Sequence, residues 1–296
     1  MQIKHNMIDD FSKYDFFYIN GASAFEGGGL EESNIKYNSY EPLYKKKYNV
    51  SWSNRSEINF GKRLSEIIGI PCINDAISGS GTERLVRTTY DFIFKNWKKK
   101  DKFFIIIEPL DAARSDVFLN EINDYFIVNS GIQNNNLEFA YATREYYNKK
   151  YETFDNKNQK LFKEWFDRHY NLYEKTLSDN KAFLGLYSFC KLNDIKIYVM
   201  NLENISSVFS NVVFDCIDKS DIIKFKDSKF DEQDDLYNWC KRNKLLIKDD
   251  FNKNENEYFD IHPGYFGHIE YAKKIAEFLG WKKSTDIFKN KNVNII

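Results

Sequence analysis

Phe16-Phe17-Tyr18-Ile19 is an unbroken apolar run that stops abruptly at Asn20-Gly21-Ala22-Ser23-Ala24. A strand with one wet face alternates apolar and polar residues. An unbroken run belongs to a strand covered on both faces, the situation inside a parallel sheet with helices above and below. The rest of the chain supplies the partners such a strand needs. Ile58 to Ile68 reads as a helix with Phe60, Leu64 and Ile67 on one side, stopped near Gly69 and Pro71. Cys72 to Ile77 reads as a second short strand. Ser80 and Glu83 have the separation of a capping box, and Val86, Tyr90, Ile93 and Trp97 then recur at helical spacing. Lysines gather at the end of that segment, where the helix dipole favours them. Phe103 to Ile107 is the clearest strand, Leu161 to Leu192 one long helix or two in succession, and Ile195 to Met200 another strand. Ile269, Ala272, Ile275, Ala276 and Leu279 mark a last amphipathic helix stopped by Gly280.

Strands and helices thus alternate four times, which predicts an α/β fold: a three-layer α/β/α domain around a central parallel sheet. In such sheets ligands bind at the carboxyl ends of the strands. Ser23 follows the first predicted strand, Gly79 the second and Glu108 the third, so all three loops are expected on one edge. Residues 116–160 and 203–258 depart from the alternation. They are predicted as insertions near that edge, either a lid or substrate wall or plain surface excursions. No repeat or linker divides the chain, so residues 1–296 are read as one domain.

Composition narrows the function classes. Charged residues make up 29% of the chain and the formal net charge is −1, which gives no reason to expect nucleic acid as a partner. Lys45-Lys46-Lys47 and Lys98-Lys99-Lys100 read as solvated loops and helix ends. Cys72, Cys190, Cys216 and Cys240 are widely spaced without a CxxC pair, so they are expected as free thiols with no metal spacing. No stretch of about 20 apolar residues occurs, so no membrane span is expected. The start of the chain has no apolar segment suited to a signal peptide; a cytoplasmic location is expected, with a virus-borne one as the alternative. Oligomeric state is left open.

The glycine-rich stretches do not carry nucleotide signatures. GASAFEGGGL lacks the lysine of a Walker loop, and SGSGTERL has Arg84 at the third glycine position of a dinucleotide fingerprint. Ser23 is not in G-x-S-x-G either, because the final position is Phe25. The small residues instead leave room around Ser23. An ester-cleaving serine needs an exposed hydroxyl, a base and donors for the oxyanion. Gly79, ahead of a predicted helix, lets a second backbone N–H approach.

Four histidines are available as the base. His5 lies in a tail, and His169 falls on the helical repeat Phe162, Trp165, His169, Leu172. His262 stands in FDIHPGYFGH with Asp260 two residues earlier, close enough for a carboxylate to orient the imidazole. On spacing alone a second reading has equal weight: Asp260 and Pro263 simply start the last helix. A metal site of Asp260, His262 and His268 is a third reading, without a recognised ligand spacing.

With Ile19-Asn20-Gly21-Ala22-Ser23, Ala76-Ile77-Ser78-Gly79-Ser80-Gly81 and Asp260-Ile261-His262-Pro263 in this order, the chain resembles the SGNH (GDSL-type) hydrolase family, in particular a branch common in phage and marine bacterial genomes. The resemblance spans nearly the whole chain as islands. It implies a flavodoxin-like α/β/α fold without metal or organic cofactor, and hydrolysis of short acyl esters, often acetyl groups on carbohydrates. It implies Ser23 as nucleophile, His262 as base, Asp260 as its orienter, and an oxyanion hole from the backbone N–H groups of Ser23 and Gly79. The substrate expected is a small-molecule or glycan ester. Two positions depart from the family pattern: Ala22 replaces the usual acid of the first block, and Glu108-Pro109-Leu110-Asp111-Ala112-Ala113-Arg114 has no asparagine donor after the third strand. Arg114 is the candidate to supply a donor or grip an anionic substrate, against a surface pairing with Asp111 or Asp116. An O-acyltransferase using the same triad, and a non-catalytic carbohydrate-binding or structural member, are the alternatives.

Overall fold

A computed structural model describes residues 8, 10–27, 59–77, 79–97, 101–110, 114–119, 124–129, 164, 168, 170–200, 215–223, 225–226, 233–234, 239–240, 242–243, 246–248, 258–263 and 265–283. In chain order the elements are β1 (Phe16–Asn20), α1 (Ser23–Glu26), α2 (Phe60–Ile68), β2 (Cys72–Asn74), α3 (Thr82–Trp97) and β3 (Phe103–Ile107). Then follow β4 (Arg114–Leu119), β5 (Asp124–Asn129), α4 (Leu172–Leu192), β6 (Lys196–Met200) and β7 (Ile222–Ile223). The last are β8 (Phe225–Lys226), β9 (Gln233–Asp234), β10 (Leu246–Lys248), β11 (Tyr258–Pro263) and α5 (Tyr265–Phe278).

The central sheet has the order β2-β1-β3-β6-β7, and every neighbouring pair is parallel. It is the α/β fold that the alternation predicts. β1 and β3 pair over their whole length, from Phe16↔Phe103 to Asn20↔Ile107. All five residues of β3 are buried, as an unbroken apolar run in a doubly covered strand must be. Alternate side chains feed two separate cores. Phe17, Ile19, Phe104, Ile106, Tyr198 and Met200 pack with Leu64 and Ile67 of α2 and with Ala272 and Ile275 of α5. Tyr18, Ile105, Ile107, Ile197 and Val199 pack with Leu85, Phe92 and Ile93 of α3 and with Phe183, Leu186 and Cys190 of α4. The two clusters are the two interfaces of a three-layer sandwich.

Local chemistry sets several element ends. Asn59 caps α2 by accepting the Lys62 N–H at 3.0 Å, and Gly69 closes it at φ 75°. Helical backbone at Glu164 and Arg168 ends before Asn171, whose side chain accepts the Tyr173 and Glu174 N–H groups and opens α4. The segment Leu161 to Leu192 is therefore interrupted ahead of α4. The segment 203–258, predicted as an insertion, contributes Ile222–Ile223 to the central sheet beside β6. The segment 116–160 begins within the antiparallel pair β4–β5, and its residues beyond 129 lie outside the described ones.

The capping box predicted from Ser80 and Glu83 is not formed. The helix starts at Thr82 rather than beside Ser80. Glu83 Oε2 accepts the Asp116 N–H at 3.0 Å and pairs with Lys175 at 3.1 Å. Contacts from β4 and α4 thus occupy the carboxylate that a box would have turned back on Ser80.

Candidate functional site at the carboxyl edge of the sheet

The chain runs from β1 out to β2, then returns across β1 to β3, so the strand order reverses between β1 and β3. A crevice opens at the carboxyl ends where such a reversal occurs. Ser23 stands there. It is the first residue of α1, three residues beyond β1, and it is half-buried. Ala22 ahead of it is buried, and its carbonyl accepts the Phe25 and Glu26 N–H groups at 3.2 and 3.0 Å. The single turn of α1 then ends at Gly27, φ 99°.

Glu108, the residue after β3, reaches the loop that leads to Ser23. It is 7% exposed, and its Oε2 accepts the Ala22 N–H at 2.9 Å. Beneath the loop lies a buried polar cluster. Tyr18 donates its hydroxyl to Asp75 at 3.0 Å, and the Asn20 amide lies 2.8 Å from Thr88 Oγ1 and 3.0 Å from the Tyr18 hydroxyl. Burial pushes the Tyr18 phenol well above its ordinary range, with the neighbouring Asp75 charge adding to the effect. The cluster ties β1, the loop after β2 and α3 together.

Gly79 sits in the turn after β2 at φ 81°, a conformation that costs glycine little and other residues more. Among the described residues its N–H has no hydrogen-bond acceptor. The next backbone to arrive is that of Arg114. A Cβ built on Gly81 would lie 2.7 Å from the Arg114 carbonyl oxygen, so this turn and the start of β4 touch main chain to main chain. Gly81→Ala is expected to lower stability by about 1–3 kcal/mol, the usual range for overpacking. Urea denaturation at constant m-value measures it.

Arg114 is half-buried at the start of β4. Asp116, one of the two surface partners expected for Arg114, has its carboxylate 2.8 Å from Arg87. Asp111 lies outside the described residues, as do His5, His169 and Ser78.

Burial pushes the Asp116 carboxyl up to about 6 from its ordinary value of 3.8, opposed by the hydrogen bond and charge of Arg87. The folded state therefore holds a proton that the unfolded chain releases between those two values. Stability from this group is full below about pH 4 and is lost as pH rises to about 6, by about 2–3 kcal/mol. Asp116→Asn is expected to flatten the pH dependence of unfolding free energy in that window. A slope equal to the parent's would show that the carboxylate is not buried as described.

Asp260 and His262 both lie in β11, and Pro263 is its last residue. α5 starts two residues later, at Tyr265, so Asp260 does not cap that helix. β11 pairs with β10 at Leu246↔Pro263 and Lys248↔Tyr258, with a register shift between them. Asp260, Ile261 and His262 occupy that irregular stretch. Bulges of this kind are enriched next to functional sites because they re-aim the chain. Cα atoms of β11 come within 8 Å of those of α1, the turn that begins with Ser23. More than two hundred residues of sequence separate two segments that are neighbours in space.

His268 has a packing role. It is 1% exposed, its Nδ1 accepts the Phe60 N–H at 3.1 Å, and its ring lies parallel to that of Phe60. It thereby satisfies a first-turn donor of α2. Its Nδ1 is engaged by the backbone of α2. Among the described residues no cluster of His, Cys, Asp and Glu suited to a metal ion occurs, and no helix is long and apolar enough to cross a membrane.

Sequence inspection overlooked Glu108 as part of the site; its position at the end of the clearest strand was the available signal. No family model matches the chain, and no curated protein matches it. Among solved structures, an alpha/beta hydrolase enzyme from the metagenome of Lake Arreo, Spain, aligns over 91% of this chain and 97% of its own, at 12% identity and a TM-score of 0.43.

Proposed function

We propose that the protein is a serine ester hydrolase of the SGNH type, acting on short acyl esters, foremost acetyl groups carried by a carbohydrate. The observation that supports this reading is the approach of β11, with Asp260 and His262, to the turn that begins with Ser23 at the strand-order reversal. In this reading Ser23 Oγ attacks the acyl carbon while His262 takes its proton. The tetrahedral oxyanion is held by the N–H groups of Ser23 and Gly79. The alcohol leaves with the proton from His262, and water repeats the sequence to release the acid. Asp260 orients the imidazole throughout. Arg114 is assigned to an anionic part of the substrate at the Gly79–Gly81 side.

Incubation with an acetylated oligosaccharide tests the substrate class. Acetate release that depends on Ser23 supports hydrolysis. Acetyl transfer to an added oligosaccharide that outpaces acetate release would replace hydrolase with acyltransferase. A protein whose Ser23 neither reacts with a fluorophosphonate probe nor supports either reaction is not an enzyme of this type.

A further inference from the structure

We propose that Glu108 is a positioning residue for Ser23: its buried carboxylate clasps the peptide that leads into the nucleophile's turn. The inference rests on the reading of Ser23 as nucleophile. Glu108 holds the loop from two sides. Its own N–H donates to the Asn20 carbonyl at 3.1 Å, and its Oε2 accepts the Ala22 N–H at 2.9 Å. Gly21 lies between those two anchor points, and its lack of a side chain is what lets the carboxylate in. A Cβ there would lie 2.5 Å from Glu108 Oε2 and 3.0 Å from Glu108 Cβ.

The next link is geometric. Ala22 has φ −105° and ψ −147°, and its carbonyl starts the turn that carries Ser23. The Ala22 N–H is fixed by Glu108, and the Ala22 carbonyl is fixed by Phe25 and Glu26. The peptide between Ala22 and Ser23 therefore has little freedom to rotate, and Ser23 inherits its orientation from it. A charged acceptor makes the stronger class of hydrogen bond, more so at a buried site. Without that acceptor the Ala22 N–H is left buried and unpaired, and the loop turns to satisfy it. Misplacement of a reacting group by about 1 Å costs about 10²-fold in rate. In this scheme Glu108 acts through Ala22.

The test uses full-length protein labelled with ¹⁵N-alanine, comparing the parent with Glu108→Ala and Glu108→Gln. In the parent, the Ala22 amide proton is expected downfield and protected from exchange. Glu108→Ala is expected to lose both features and to lower kcat for p-nitrophenyl acetate about 10²-fold, with KM within about threefold. Glu108→Gln keeps an acceptor in place, weaker by roughly half, and is expected to bring kcat back to within about tenfold of the parent. An Ala22 amide unmoved by Glu108→Ala overturns the clasp, and so does an unchanged kcat in that variant. If Glu108→Ala does not fold, Glu108→Gln decides: an upfield Ala22 shift with a partial loss of kcat supports the clasp, and no change in either overturns it. A parent protein with no Ser23-dependent activity sinks the esterase reading instead. In that case the amide shift still shows whether the clasp exists.

Discussion

Replacing Ser23 by alanine is expected to lower kcat/KM for p-nitrophenyl acetate by about 10⁴–10⁶-fold, the range seen when a triad nucleophile is removed. The effect is large because, in the proposed mechanism, this hydroxyl forms the covalent bond to the acyl carbon. His262→Ala is expected to cost a comparable factor, and the double variant little more than either alone, since the proposed triad has the two residues act as one unit. Fold should persist: Ser23 lies in a single short turn at the rim of the sheet, and neither core cluster contains it. Activity is measured by p-nitrophenolate release, and fold by thermal unfolding. An undiminished rate in Ser23→Ala removes the nucleophile and the proposed chemistry with it.

The largest expected effect on stability comes from Phe104→Ala, a loss of about 3–5 kcal/mol. β3 is a central strand, paired with β1 on one side and β6 on the other. Phe104 is completely buried on its α2 and α5 face. Its ring stacks on Phe17 at 5.2 Å and meets the edges of Tyr14 and Tyr198 at 5.2 and 6.2 Å. Truncation removes contact with three rings at once and leaves a cavity that two paired strands prevent from collapsing. Domains are usually stable by about 5–15 kcal/mol, so one such change consumes a sizeable part of the margin. Urea denaturation with an unchanged m-value gives the number. A loss below about 1 kcal/mol would mean the site repacks, contrary to the burial described.

Much of the candidate site was legible residue by residue, because the signals involved are local. The apolar run that stops at Asn20-Gly21 marked Ser23 as a strand-tip residue, and Ser23 stands three residues past β1. Gly79 was marked by its place between a strand and a helix, and its φ of 81° gives that position its reason. Glu108 was visible only as the end of a strand, because nothing in its neighbours announces a bond to Ala22, 86 residues away. The Ser80–Glu83 pattern illustrates the opposite failure. Its spacing was right for a local bond, but the Asp116 N–H and Lys175 hold the glutamate elsewhere.

The sequence by itself determined which segments become doubly covered strands and which become amphipathic helices, since an unbroken apolar run and a helical stripe each express burial along a few neighbouring residues. It determined in that way the α/β class and the edge on which the strand-end loops gather. Tertiary structure alone decided the strand order, the fifth strand Ile222–Ile223 and the arrival of β11 beside α1. A two-residue strand is too short to leave a periodic signal. A contact between segments so distant in sequence is selected by the packing of the whole chain, in which closure of a long loop costs little more than closure of a short one.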